Sequence, residues 1–152
     1  MGATLWTAAP ESSAGQTRDA LLSDAKVFAA VAAPLKMLGT FGYCHTGGGQ
    51  NCVVDGDTFW MDGVKIRVAD IDAPETHPPR CASEADLGNR ATNRLHELLN
   101  AGPLELRSLP DRDEDRYGRK LRIVERNGQS LGDILVSEGL ARTWTGRREP
   151  WC

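Results

Sequence analysis

From Asn51 onward the chain is written in short apolar runs cut by two-residue turn signals, a texture that leaves few folds open. Asp62-Gly63 and Asn127-Gly128 are dipeptides that accept the positive φ angles of a tight hairpin turn. Residues 52–54 begin a strand that 58–61 continue past Asp55-Gly56, and residues 64–70 make the return. That return alternates, with Val64, Ile66 and Val68 on one face and Lys65, Arg67 and Ala69 on the other. Leu104 and Leu106 mark a fourth strand and residues 120–125 a fifth.

Two helices interrupt the strands. Ser83 and Asp86 resemble a capping box, and Ala91, Leu95, Leu98 and Leu99 follow at helical spacing before Gly102-Pro103 ends the run. Ser130 with Asp133 repeats the device ahead of Leu131, Ile134, Leu135 and a closing Gly139. Five short strands, one helix inserted late and another after the sheet predict an α+β fold. The expected form is a five-stranded OB-fold β-barrel with two or three helices.

Residues 1–42 differ in texture, being rich in Ala, Ser, Gly and Thr, with a weakly helical stretch over 21–33 that Pro34 would end. They read as a leader or tether, poorly ordered or partly helical, ahead of a domain over 43–152. The Gly47-Gly48-Gly49 run is not followed by a helix pattern and reads as linker rather than as a phosphate loop. No run reaches the roughly 20 apolar residues of a membrane span. The stretch 27–35 is short, bracketed by Lys26 and Lys36, and preceded by acids where a signal peptide carries positive charge.

Net charge is -3, which argues against an architectural nucleic-acid binder. Charge is uneven, however: from Arg116 to the end eight basic residues face four acidic ones. The four cysteines, Cys44, Cys52, Cys81 and Cys152, allow three full pairings, and Cys44 with Cys52 and Cys81 with Cys152 is the pairing expected. Free thiols are one alternative, and zinc is another, with His45 and His77 as further ligands, but no C-x-x-C is present. Disulfides would favour an oxidising, exported setting, which the N-terminus does not support.

The chemistry lies in three pieces: Val53-Val54-Asp55-Gly56-Asp57-Thr58, then the run from Ile66 to Thr76, then Asp115-Arg116-Tyr117-Gly118-Arg119. They set acids and arginines at strand ends, and Pro74 stiffens the segment between Asp72 and Glu75. Oxygen donors without His or Cys suit a hard cation, and arginine's planar fork suits phosphate. Singly, each residue has an ordinary explanation: Asp55 and Asp57 finish a turn, Arg67 sits on a strand surface, Glu75 is a loop acid, and Asp70 has no assigned role.

Together, "VDGDT", "IRVADIDAPET" and "DRYGR" resemble the signature of the staphylococcal nuclease, or thermonuclease-like, family over roughly residues 52–141. The resemblance implies calcium held by the Asp57 and Asp72 side chains and the Ala73 carbonyl. It puts Glu75 at the general-base position and Arg67 and Arg119 on the phosphate. Arg116 and Tyr117 would contact the nucleotide. Trp144 offers either a stacking face or core packing. DNA and RNA would be cut to 3′-phosphate and 5′-hydroxyl ends by a monomer. The long basic C-terminal helix of the prototype is not matched after Gly139. The alternatives are a non-catalytic nucleic-acid or protein binding module, which would lack these acids and arginines, and a disulfide-stapled exported structural protein. Asp111 to Arg122 is not an EF-hand loop, because Arg116 and Arg122 stand where Gly and Glu are needed.

Overall fold

The computed structural model describes residues 39–47 and 49–152. Residues 1–38 of the expected leader lie outside the described residues. The strands run in the order β1 (Gly42–Tyr43), β2 (Cys52–Asp55), β3 (Thr58–Met61), β4 (Val64–Val68) and β5 (Ile71–Asp72). Helix α1 (Ala82–Asn100) follows, then β6 (Glu105–Ser108), β7 (Lys120–Arg126), β8 (Gln129–Ser130), helix α2 (Leu131–Ser137) and β9 (Arg142–Thr143).

The main sheet is mixed, in the order β1-β2-β3-β4-β7-β6, with β8 added to β7. β1 on β2 and β4 on β7 are parallel, the remaining pairs antiparallel, and β5 and β9 form a separate two-stranded ribbon. This fits an OB-like α+β fold with two helices, but it corrects the five-stranded barrel. Nine strands are present among the described residues, and no pairing there joins β6 back to β1. Four of the nine are two-residue strands, too short to leave a periodic signal in sequence.

Both hairpin dipeptides turn as their chemistry requires, with positive φ at Asp62 and Gly63 and again at Asn127 and Gly128. The chain does not run on as one strand past Asp55-Gly56. Asp55 ends β2 and Gly56-Asp57 reverse the chain into β3, where Val53 pairs with Phe59 and a bulge follows.

The core gathers Phe41, just ahead of β1, and Val53, Phe59, Ile66, Val68 and Ile71 from the strands with Leu95 and Leu99 from α1 and Leu131 and Leu135 from α2. Phe41, inside the expected leader, is 2% exposed, and Asn100 at the end of α1 brackets its backbone with two hydrogen bonds. No helix among the described residues is long and apolar enough to cross a membrane.

Two close approaches fix α1 against the site-bearing turns. A Cβ on Gly56 would lie 2.6 Å from the Ala91 Cβ and 2.9 Å from the Ala73 Cβ. One on Gly88 would lie 2.8 Å from Thr76 Cγ2 and 3.0 Å from the Pro74 carbonyl oxygen. Only glycine lets the helix touch the β2–β3 turn and the 74–76 loop this closely.

α1 is capped differently from the sequence expectation: Cys81 is the N-cap residue, and Ser83 is already inside the helix. At α2 the expected cap forms, with Ser130 Oγ accepting from the Asp133 N–H at 3.2 Å. Both expected disulfides are present, Cys44–Cys52 and Cys81–Cys152. None of the four sulfurs is therefore available as a thiolate for zinc.

Candidate active site

Asp57 lies in the β2–β3 turn and is 2% exposed. Its Oδ1 accepts from Thr58 Oγ1 at 2.9 Å and its Oδ2 from the Ala73 N–H at 2.9 Å, which ties the turn to the segment leaving β5. Asp72 ends β5 and is 3% exposed. The β3–β4 register puts Arg67 opposite Thr58, so its guanidinium lies between the two acids: Nη2 is 3.9 Å from Asp57 Oδ2 and 3.8 Å from Asp72 Oδ1.

The alternation of β4 places Arg67 on the face away from the core, as expected from sequence, yet Arg67 is buried. That face is roofed by Trp144, whose ring centroid is 4.9 Å from the guanidinium carbon. Trp144 is held there by its N–H donating to the Asp70 carbonyl as the chain leaves β9. Its exposure, 37%, sets it at the rim and outside the core.

Arg119 reaches the same place from the other side. β4 and β7 pair in parallel, Ile66 to Lys120 and Arg67 to Leu121, so the residue before β7 arrives beside Thr58. Arg119 Nη1 donates to Thr58 Oγ1 at 3.3 Å, and its Nε donates to Asp115 Oδ2 at 2.6 Å. Asp115 braces the whole loop, because its Oδ1 also accepts from the Tyr117 and Arg119 backbone N–H groups. Burial works to raise the Asp115 carboxyl, but the hydrogen bonds from Arg119 and Tyr117 outweigh it and hold its pKa below the ordinary value. Tyr117 is 67% exposed, with Arg116 stacked 4.7 Å from its ring centroid.

Glu75 follows Pro74 in a loop that its own carboxylate organises, Oε1 accepting from the Thr76 and His77 N–H groups at 3.1 and 3.2 Å. Its backbone N–H donates to Glu84 Oε1 at 3.1 Å. Glu84, buried in the first turn of α1, also accepts from the Arg80 N–H at 2.7 Å. The Arg80 bond, with the Glu75 bond behind it, holds the Glu84 pKa below the ordinary value against the opposing effect of burial.

A cleft of about 770 Å³ is lined by Asp57, Arg67, Glu75, Tyr117, Arg119 and Trp144 together with Arg116. Asp72 and Ala73 are not on its wall and stand behind Arg67 and Asp57. The expected site residues thus come together around one cleft, from strands and loops in three separate parts of the chain, with Asp72 and Ala73 behind its wall.

Whether these residues suit a hard cation can be judged from their charge. Asp57 and Asp72 are nearly dry, and Arg67 stays beyond hydrogen-bonding distance of both. Burial, and then the charge of Asp57, push the neighbouring Asp55 carboxyl well above its ordinary pKa. Crowded carboxylate oxygens with no His or Cys donor among them fit a hard divalent ion. His45, His77 and His96 are not among the residues lining the cleft.

Sequence reasoning missed Glu84, Arg148 and Trp151. Arg148 Nε donates to Asp72 Oδ1 at 3.1 Å and its Nη1 to Glu75 Oε2 at 3.4 Å, while Trp151 Nε1 donates to Asp72 Oδ2 at 3.3 Å. Burial works to lower the Arg148 pKa, but the charges of Asp72, Asp57 and Glu75 outweigh it and hold the value above ordinary. The basic count of the C-terminal stretch was the one signal that could have pointed to Arg148.

The family model described as "Staphylococcal nuclease homologue" matches residues 65–150. The chain is 38% identical over 93 residues to "Endonuclease YncB" of Bacillus subtilis (strain 168), covering 59% of this chain and 44% of that protein. It is equally identical over 93 residues to "SPbeta prophage-derived endonuclease YokF" of the same organism, covering 59% of this chain and 31% of that one. To the "Micrococcal nuclease" of Shigella flexneri it is 32% identical over 102 residues, covering 59% of this chain and 53% of that protein. The chain spans about half or less of the length of these relatives. With the family match extending across more than half of its length, this chain belongs to the staphylococcal nuclease homologue family.

Proposed function

We propose that this chain is a calcium-dependent endonuclease that hydrolyses phosphodiester bonds of DNA and RNA, leaving 3′-phosphate and 5′-hydroxyl ends. What carries the proposal is the convergence of Asp57, Arg67, Glu75 and Arg119 on one cleft, with Asp72 behind them. The relatives named endonuclease and micrococcal nuclease lend it support.

Asp57, Asp72 and the Ala73 carbonyl would hold the ion, which when bound supplies positive charge against a phosphoryl oxygen. Glu75 is fixed through Oε1 by two backbone N–H groups, so its carboxylate is oriented before substrate arrives. It takes the proton from the attacking water as that water approaches phosphorus. Arg67 on β4 and Arg119 just before its parallel neighbour β7 donate to the phosphoryl oxygens, whose charge grows as the pentacoordinate state forms. Asp115 fixes the direction of Arg119. Arg116 and Tyr117, exposed and stacked on one another, give a stacking and cationic surface for the adjoining nucleotide, and Trp144 lines the same cleft.

Glu75→Gln and Arg119→Ala test the assignment. Each is expected to lower turnover by about 10²–10⁴-fold while circular dichroism remains unchanged. Turnover within a factor of a few of the parent in either variant would overturn these roles.

A further inference from the structure

The last eleven residues cross the acid cluster as a strap pinned at both ends. β9 fixes one end, with Asp72 paired to Arg142 in register. The Cys81–Cys152 disulfide fixes the other to the start of α1. Between them, Arg142 lies over the Trp151 ring at 3.7 Å and donates to the Pro150 carbonyl at 3.0 Å, so the strap is also folded onto itself.

The consequence falls on Asp72. Both of its carboxylate oxygens already have strap donors, Arg148 Nε on Oδ1 and Trp151 Nε1 on Oδ2. The same guanidinium extends to Glu75 Oε2. Arg148 thus bridges the acid assigned to the ion and the acid assigned to proton transfer. Arg67, by contrast, stays 3.8 Å or more from both buried carboxylates. A cation gaining Asp72 must displace a charge-assisted contact from an oxygen that is otherwise buried.

We propose that Arg148, delivered by the disulfide-pinned strap, is the resident counter-cation of Asp72 and Glu75, and that a divalent ion binds by displacing it. Arg148 is then a positioning residue that sets ion affinity. Its departure also releases Glu75 Oε2, so the base becomes free only in the ion-loaded protein. This rests on the metal-site assignment made above. It adds a competitor, contributed by the chain itself, that the three cleft motifs do not contain.

Calcium binding to the full chain without nucleic acid, measured by titration calorimetry and tryptophan fluorescence, tests it. Arg148→Gln is expected to bind calcium about tenfold more tightly than the parent, because the ion no longer competes with a guanidinium. In chelator the same variant is expected to melt lower than the parent, since Asp72 has lost its counter-charge. The side chain of Arg148 is 40% exposed, so the substitution leaves the core untouched.

A second variant, Cys81→Ser with Cys152→Ser, keeps Arg148 but unpins the strap. It should also tighten calcium binding, and should add nothing further when combined with Arg148→Gln. Equal or weaker calcium affinity in Arg148→Gln would overturn the proposal while leaving the ion site standing. Independent, additive gains from the two variants would do the same. Absence of calcium binding in the parent and the variant alike would overturn it together with the metal-site assignment.

Discussion

Removing the Cys81–Cys152 disulfide should be the more damaging of the two disulfide losses open to this domain. The bridge joins residues 71 apart in sequence. In the chain-entropy treatment, closing a loop of that length removes about 15 cal/mol/K from the unfolded ensemble, or about 4 kcal/mol at 25 °C. The Cys44–Cys52 bridge, with a separation of 8, is worth about 2.5 kcal/mol by the same relation. Against a typical domain stability of about 5–15 kcal/mol, the longer bridge is a large share. The assay is guanidinium unfolding of two double variants, Cys81→Ser with Cys152→Ser and Cys44→Ser with Cys52→Ser. The first is expected to lose about 4 kcal/mol and roughly 15 °C in Tm. The second is expected to lose a little over half as much free energy. A smaller loss for the 81–152 pair than for the 44–52 pair would refute the loop-entropy reasoning.

Gly56→Ala drives a methyl to 2.6 Å from the Ala91 Cβ and is expected to cost about 1–3 kcal/mol in a thermal melt, with reduced nuclease activity because Ala73 lies on the other side of the contact. Glu84→Ala frees the Glu75 and Arg80 N–H groups from a buried acceptor and should cost about 2–3 kcal/mol at pH 7. The folded Glu84 pKa is depressed, so its contribution is present above the unfolded glutamate value and is lost as pH falls through the folded one. The penalty should therefore shrink below about pH 4, and a penalty independent of pH in denaturant titrations would contradict this.

Much of the fold was legible because its signals are local. The Asp-Gly and Asn-Gly turns require positive φ and take it, and Ser130 caps α2 from a pattern visible in four residues. The two-residue strands were not legible, since pairing of Ile71 with Thr143 or of Gly42 with Cys52 is decided by where distant segments arrive. Ser83 and Asp86 imitated a cap that Cys81 occupies, because the disulfide fixes where the helix enters. The motif residues were found as a set of types and spacings. What joins them, such as Thr58 between Asp57 and Arg119, required the register. Asp70 had no role assigned from sequence. It accepts from Ser130 Oγ at 2.6 Å and holds Trp144 through its carbonyl, so it is an anchor for α2 and the strap. Arg148 and Trp151 were missed although the Cys81–Cys152 bridge was expected, because the pairing alone does not show which strap residues it sets against Asp72.

The most direct test is to incubate the full chain with single-stranded DNA and with RNA, in calcium and in chelator, and to identify the chemistry at the new ends. The expected result is cleavage in calcium alone, with phosphate on the 3′ side of each cut and a free hydroxyl on the 5′ side. Undiminished cleavage in chelator, ends of the opposite polarity, or intact polymer at stoichiometric enzyme in calcium would contradict the role given to the cleft.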